Sequence, residues 1–295
     1  MRSRNKQNSR EGRLIMNTNR FMMLVVACSC LANLSGMSAY AGSEILPGLS
    51  TGLPMGAPLP EGLWSITFPS YGSRDSNPGV DVGAIAPAWL IWSTPYKLAG
   101  GVIMLDATIP FVNVNVENGP ELSGMANAII DMQVKWDLGN GFFGGFQSGI
   151  YLPIRSDVGR NFVSWQGLAA LSYLRDGWNL SSTFYYGTGA SGADGGPAWS
   201  NVDLTATKKF GKFEIGAVGF GSTDLSTPYP GYQKQSQFAL GGLIGYDFDI
   251  VNVQLKLTRD VYQENYGGYE TRVWANIIVP LMAPSSVGRP AVFKY

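Results

Sequence analysis

Histidine is absent from all 295 positions of this chain. Its absence removes Ser-His-Asp catalysis, imidazole ligation of metals and the side chain best suited to general-base work at neutral pH. Cysteine is scarce as well, since Cys28 and Cys30 are the only two and both fall in an N-terminal stretch that reads as a leader. Without that stretch neither a disulfide framework nor a thiol nucleophile remains. Charged residues make up 14% of the chain, against roughly 25% in a soluble globular domain, so part of the surface is expected not to face water. Beyond the first fifty positions no run of about 18 apolar residues occurs, so no helix there is expected to span a bilayer. A membrane crossing would have to be made with strands. No carboxylate spacing singles out an acid pair, and no cofactor or metal is expected. Gly192-Ala193-Asp194-Gly195-Gly196 has the outline of a calcium loop but lacks the further carboxylates of an EF-hand, and reads as an external loop.

What is present begins with a secretory pattern. Arg2, Arg4, Lys6, Arg10, Arg13 and Arg20 make a basic start, Phe21 to Ala32 is largely apolar, and Ala39-Tyr40-Ala41 has the small-x-small form of a signal-peptidase site. Residues 1–41 are therefore read as a cleaved signal peptide, with Met16 as an alternative true start. Two other readings stay open: an uncut signal anchor, and lipidation of Cys28 in the box Val25-Val26-Ala27-Cys28. The leader carries 6 of the 21 basic and 1 of the 21 acidic residues, which leaves 15 against 20 in the mature chain. A mildly acidic protein without a basic patch is a poor ligand for nucleic acid, whose binding rests on neutralising phosphates.

Residues 42–61 are rich in Gly, Pro and Leu with neither helical nor strand period, and are expected to form an extended periplasmic segment or a plug. From Leu63 on, apolar and polar residues alternate with the period of two that strands impose. In Ala126 to Leu138, for example, Ile130, Met132 and Val134 alternate with Asp131, Gln133 and Lys135. Several segments run ten to thirteen residues, longer than the five or six of an average soluble strand and matched to the nine to eleven of a tilted membrane strand. About twelve are counted: 63–68, 83–92, 100–114, 126–138, 142–154, 163–174, 178–188, 199–210, 213–222, 234–247, 250–262 and 271–282. Tight turns at Leu138-Gly139-Asn140-Gly141, Arg175-Asp176-Gly177, Gly211-Lys212 and Asp247-Phe248-Asp249 alternate with longer connections at 117–125, 155–162, 189–198, 223–233 and 263–270. That is the rhythm of an outer-membrane barrel with short periplasmic turns and long outside loops. Trp89, Trp92, Phe142, Phe143, Tyr185, Tyr186, Trp199, Phe210, Tyr246 and Tyr262 lie near segment ends, where interfacial girdles are expected. The reading is an all-β chain whose residues 62–295 form one antiparallel transmembrane β-barrel of about twelve strands.

The middle and C-terminal half resembles the meta-pathway phenol degradation family of outer-membrane transporters. Gly149-Ile150-Tyr151-Leu152-Pro153, Asn161-Phe162-Val163-Ser164-Trp165, Leu171-Ser172-Tyr173 with the Asp176-Gly177 turn and Trp178, and Phe213 to Gly219 after the Phe210-Gly211 turn carry the likeness, over roughly Val82 to Leu281. The resemblance implies an outer-membrane barrel that passes small hydrophobic or aromatic compounds. Outer-membrane barrels usually end on a strand with a terminal Phe, whereas this chain continues past Leu281 through Pro284 and Pro290 to Tyr295.

Polar residues on the expected inward faces are the candidate lumen lining: Asp106, Thr108, Asp131, Gln133, Lys135, Asp203, Thr205, Glu214, Asn252, Gln254, Lys256 and Arg272. In a channel such groups shape a field that passes some solutes and retards others; in a narrow barrel they fill the interior and pair with one another. The expected function is passive uptake through a gated or partly plugged lumen rather than catalysis. The expected partners are outer-membrane lipid, a small hydrophobic or aromatic solute and, during biogenesis, the barrel-assembly machinery. A non-conducting structural or adhesive barrel is the alternative.

Overall fold

The period-two segments become strands in a computed structural model that describes residues 42–192 and 194–282. The leader, the Met16 start, Cys28 and the tail beyond Met282 lie outside the described residues. In chain order the strands are β1 (Gly62–Arg74), β2 (Val80–Leu98), β3 (Gly101–Thr108), β4 (Phe111–Val116), β5 (Glu121–Met125), β6 (Ala128–Gly139) and β7 (Phe142–Leu152). They continue as β8 (Ser164–Arg175), β9 (Trp178–Gly187), β10 (Trp199–Phe210), β11 (Phe213–Asp224), β12 (Ser236–Asp247), β13 (Asn252–Glu264) and β14 (Glu270–Met282).

Every neighbour is antiparallel, and β1 pairs with both β14 and β2, which closes the sheet on itself. Two staves of the barrel are each broken once. β3 and β4 both pair with β2, while β6 and β5 pair with β3 and β4 respectively, so fourteen segments make twelve staves. Closure satisfies the edge N–H and C=O groups that lipid cannot.

The pattern of exposure decides which solvent the wall faces. On β6, Ile130 is 51% and Met132 44% exposed, whereas Asp131 and Gln133 between them are 5% and 1%. The same inversion runs round the wall, with Leu171, Leu204, Ile244 and Leu257 outside and Ser172, Asp203 and Thr258 inside. A soluble sandwich buries the other set. The wall is built for lipid.

Short turns close one end. Asn140-Gly141 and Asp176-Gly177 take positive φ at both positions, 55° and 86°, then 53° and 80°, which is the primed-turn geometry their residue types favour. Phe213, Tyr246 and Phe248 meet edge-on beside this end, with ring centroids 4.7 and 4.6 Å apart.

Three sequence expectations change here. Residues 93–99 extend β2 to Leu98, and the chain turns at Ala99-Gly100. The connection expected at 117–125 contains β5, because its residues pair with β4 in an antiparallel ladder. Trp89, Tyr185 and Trp199 point inward, exposed by 6%, 2% and 0%, and belong to the interior rather than to a girdle; strand phase outweighs position along the strand.

At the long-loop end the β1–β2 and β13–β14 connections are clasped by Asp75. Its carboxylate accepts from the Tyr269 N–H at 2.7 Å and from Arg259 Nη2 at 2.5 Å. These donors, the amide first, hold the Asp75 carboxyl below its ordinary value. A depressed folded value means that the clasp is fully in place above the unfolded carboxylate pKa of about 3.9 and is lost as pH falls through the lower folded one. The protection factor of the Tyr269 amide in hydrogen exchange is therefore expected to drop on acidification below that range, and to be low at every pH in Asp75→Asn.

Candidate functional site

Residues 42–61 run through the barrel, and their contacts fix the direction. Ser43 accepts from Asn201 Nδ2 at 3.2 Å near the long-loop end of β10, Gly48 and Ser50 lie against Asp203, Gly52 against Thr205, and Gly56 against Ser172. Leu59 O accepts from Ser93 Oγ at 2.8 Å at the short-turn end, just before β1 begins. The segment crosses the lumen from the long-loop end to the short-turn end.

Its sequence explains the form. Successive turns, with Leu49 N–H to Leu46 O at 3.1 Å, Thr51 to Gly48 at 3.2 Å, Leu53 to Ser50 at 3.0 Å and Ala57 to Pro54 at 2.9 Å, leave many backbone groups facing outward. Buried groups of that kind need partners, and the wall supplies them. The Asp203 carboxylate accepts from Gly48 N–H (2.9 Å), Ser50 N–H (3.0 Å) and Ser50 Oγ (2.8 Å). Lys256 Nζ donates to Gly48 O (3.2 Å), Thr51 O (3.0 Å) and Thr51 Oγ1 (2.9 Å), and sits 4.8 Å from the centre of the Trp274 ring. Asn179 and Gln254 both donate to Gly52 O at 3.1 Å. Gly52 has φ 89°, and a methyl on its α carbon would lie 2.6 Å from Gln254 Oε1 and from Leu243 Cδ1. Only glycine fits there.

Eleven of the twelve residues expected to face inward are buried: Asp106, Asp131, Gln133, Lys135, Asp203, Thr205, Glu214, Asn252, Gln254, Lys256 and Arg272. Thr108 is half-buried beside the break in its stave. They form separate groups. Asp203, Thr205, Gln254 and Lys256 hold the luminal segment, while Glu214 accepts from Gln254 Nε2 at 3.0 Å and from Thr207 Oγ1 at 2.5 Å. Arg272 Nε pairs with Glu270 at 2.6 Å, and Arg74 reaches the same carboxylate at 3.2 Å. Asp106 accepts from Trp89 Nε1 at 2.5 Å and from Gln133 Nε2, and Asp131 accepts from Gln147 Nε2.

The interior is not polar all round. Trp64, Ile66 and Phe68 of β1, Trp89 and Ile91 of β2 and Met104 of β3 are buried inward and pack with Leu53, Met55 and Leu59 of the luminal segment. Against this apolar side lies a cavity of about 70 Å³ bounded by Phe68, Ala86, Trp89, Pro110, Ile129 and Leu49, with Asp106 among its polar boundaries. The wall is weakest here. β2 pairs with β4 as far as Ile85 opposite Phe111 and with β3 only from Leu90 opposite Ala107, so residues 86–89 and 108–110 make no ladder with each other. The β1–β2 register slips between Ile66 and Phe68, and the β5–β6 stave is broken at Ala126-Asn127. Proline lacks an N–H for the ladder, and Pro69, Pro87 and Pro110 all fall in this zone. Side chains patch it: Thr67 Oγ1 donates to Pro87 O at 2.7 Å and Thr108 Oγ1 to Ala88 O at 3.2 Å. Alternation along the strands does not reveal the cavity; prolines inside period-two segments are the signal in the sequence for it.

A closed wall of twelve staves with an apolar exterior, a polar interior and an occupied lumen defines an outer-membrane β-barrel. The chain belongs to the family described as the MetA-pathway of phenol degradation, whose profile matches residues 70–277. No curated protein matches the sequence. Among solved structures it is similar to the COG4313 outer membrane channel from Pseudomonas putida F1, with TM-score 0.64 and 13% identity over 76% of this chain and 97% of that one. Weaker likenesses include the NanC porin (TM-score 0.47, 10% identity, 74% of this chain and 100% of that one) and the CymD monoaromatic hydrocarbon channel (TM-score 0.46, 9% identity, 74% and 88%). These likenesses concern the fold.

Proposed function

We propose that this protein is a channel, not an enzyme, for passive uptake of small hydrophobic or aromatic compounds across the outer membrane. The observation that carries the reading is the apolar cavity between Phe68, Ala86, Trp89 and Ile129, set where the wall's ladder is interrupted and beside a lumen filled by residues 42–61. The segment stands in the lumen and is bonded to the wall on several sides, which narrows the wet path for a hydrophilic solute. An apolar one gains free energy by leaving water for the cavity, at roughly 25 cal/mol per Å² of surface, and the aromatic rings of Phe68 and Trp89 suit a planar ring by offset or edge-on packing. Membership in a phenol-degradation family agrees with such a solute. Of the inward polar groups, Asp203, Thr205, Gln254 and Lys256 then seat the luminal segment, and insertion would rely on the general barrel-assembly machinery.

The test is flux of phenol-like solutes into liposomes carrying the purified protein, compared with sugars of similar size. Uptake of the former and exclusion of the latter is the expected result. Impermeability of correctly folded protein to both would remove the transport reading in favour of a structural barrel, which a filled lumen also suits. Ala86→Leu and Ala86→Trp narrow the cavity. If the added atoms cost the passing solute about 1–3 kcal/mol, flux falls roughly 5- to 100-fold, more for Trp than for Leu, with the heat-modifiable migration of the barrel unchanged.

A further inference from the structure

At the long-loop end of the lumen a buried carboxylate is half used. Asp224, the last residue of β11, is 3% exposed. Its Oδ2 accepts from the Tyr232 hydroxyl at 2.6 Å and the Gln235 N–H at 2.9 Å. Its Oδ1 is shielded from solvent and has no hydrogen-bond partner, and among the described residues no lysine or arginine forms an ion pair with it. Arg160 and Lys234 act on this carboxylate through space, but a buried oxygen without a donor is still costly, so a missing donor is expected.

The neighbour of that oxygen is Gly42. A methyl on the Gly42 α carbon would stand 2.0 Å from Asp224 Oδ1 and 2.5 Å from Pro197 Cγ. The carbonyl of Gly42 accepts from Arg160 Nη2, and Ser43 is fully buried beside Asn201. A second acidic oxygen close by, Glu44 Oε1, is likewise buried without a partner, while Glu44 Oε2 accepts from Ser164 Oγ at 2.7 Å. An amide nitrogen brings one N–H to this place. An ammonium brings three, and a charge.

Topology points the same way. Gly42 sits at the end of the barrel that carries the long connections, the outer face of the membrane in barrels of this kind.

We propose that signal peptidase cuts after Ala41 and that the α-ammonium created on Gly42 is the missing partner of Asp224, which locks the luminal segment at its outer end. Water adds across the Ala41–Gly42 peptide bond, leaving a carboxylate on Ala41 and an ammonium on Gly42. Processing and locking are then one event: an uncut chain has no ammonium to offer, and Arg160, the nearby cation, spends its Nη2 on the Gly42 carbonyl. The inference does not depend on which solute the barrel passes.

The experiment uses the mature protein from outer membranes. Its mass and N-terminal sequence are expected to begin at Gly42. Reductive methylation at neutral pH, read on the N-terminal peptide, is expected to be about tenfold or more slower in folded than in denaturant-unfolded protein, because ion pairing and burial withhold the amine. Asp224→Asn is expected to bring the folded rate to within about twofold of the unfolded one. Gly42→Ala, which leaves Asp224 in place but crowds it, is expected to do the same; Tyr232→Phe, which removes a donor to the other oxygen only, is expected to keep the protection. A start other than Gly42, a freely reactive amine in folded wild-type protein, or full protection retained in Asp224→Asn each overturns the proposal. Should Asp224→Asn lose heat-modifiable migration, Gly42→Ala and the wild-type rate decide instead.

Discussion

Deleting residues 45–59 is expected to raise the single-channel conductance of the protein in planar bilayers by about tenfold or more, turning an occluded barrel into a water-filled one of the porin type. The wall's strand pairing runs through neighbouring staves and never through this segment, so the barrel should survive its removal. The groups it leaves behind, Asp203, Thr205, Gln254 and Lys256, become wet rather than orphaned. Hydration replaces the lost bonds at little net cost, because an exchange of protein for water partners is nearly balanced. Gly42, Ser43 and Glu44 remain in this deletion, so export is not altered. Conductance of the shortened protein equal to that of the wild type would show that residues 45–59 do not obstruct the lumen.

The second large effect is expected from Asp203→Ala. That carboxylate receives three donors from the luminal segment, and Lys256 on the facing stave gathers that segment's carbonyls. Removing one side of such a buried arrangement costs on the order of 3–5 kcal/mol. The loss falls on docking of the segment and not on the wall, whose ladder bonds are unchanged. The docked-to-undocked ratio is then expected to fall by about two to four decades. Limited proteolysis should cut within residues 42–61 in the variant and not in the wild type, and bilayer recordings should show frequent large openings. Lys256→Met should act in the same direction, and the double variant should cost less than the sum, since both residues hold the same turn. Equal protease resistance in Asp203→Ala and wild type would mean that the segment is held elsewhere.

Much of this could be read from the chain. The phase of Ala126 to Leu138 places Asp131, Gln133 and Lys135 on one face because side chains of a strand alternate strictly, and the structure keeps that phase. Asp176-Gly177 and Asn140-Gly141 announce their turns because few other residues accept positive φ twice. Where the reading departed from the structure, the deciding contact was remote. Residues 93–99 carry no clear alternation, yet they continue β2 because Lys97 and Leu98 pair with Val102 and Gly101. The place of Trp89, Tyr185 and Trp199 along their strands suits a girdle, but a tryptophan or tyrosine serves equally in an interior when its strand phase points it there.

Sequence by itself determined the staves, their turns, which end is which and the sign of each face, because period two and turn chemistry are local properties that need no knowledge of neighbours. Tertiary structure alone decided that residues 42–61 thread the barrel and that prolines 69, 87 and 110, far apart in the chain, meet at one weak place in the wall beside an apolar cavity. The physical reason is distance along the chain: a segment without a period of its own takes its shape from groups as much as 225 residues away, and only closure of the barrel brings those groups within hydrogen-bond reach.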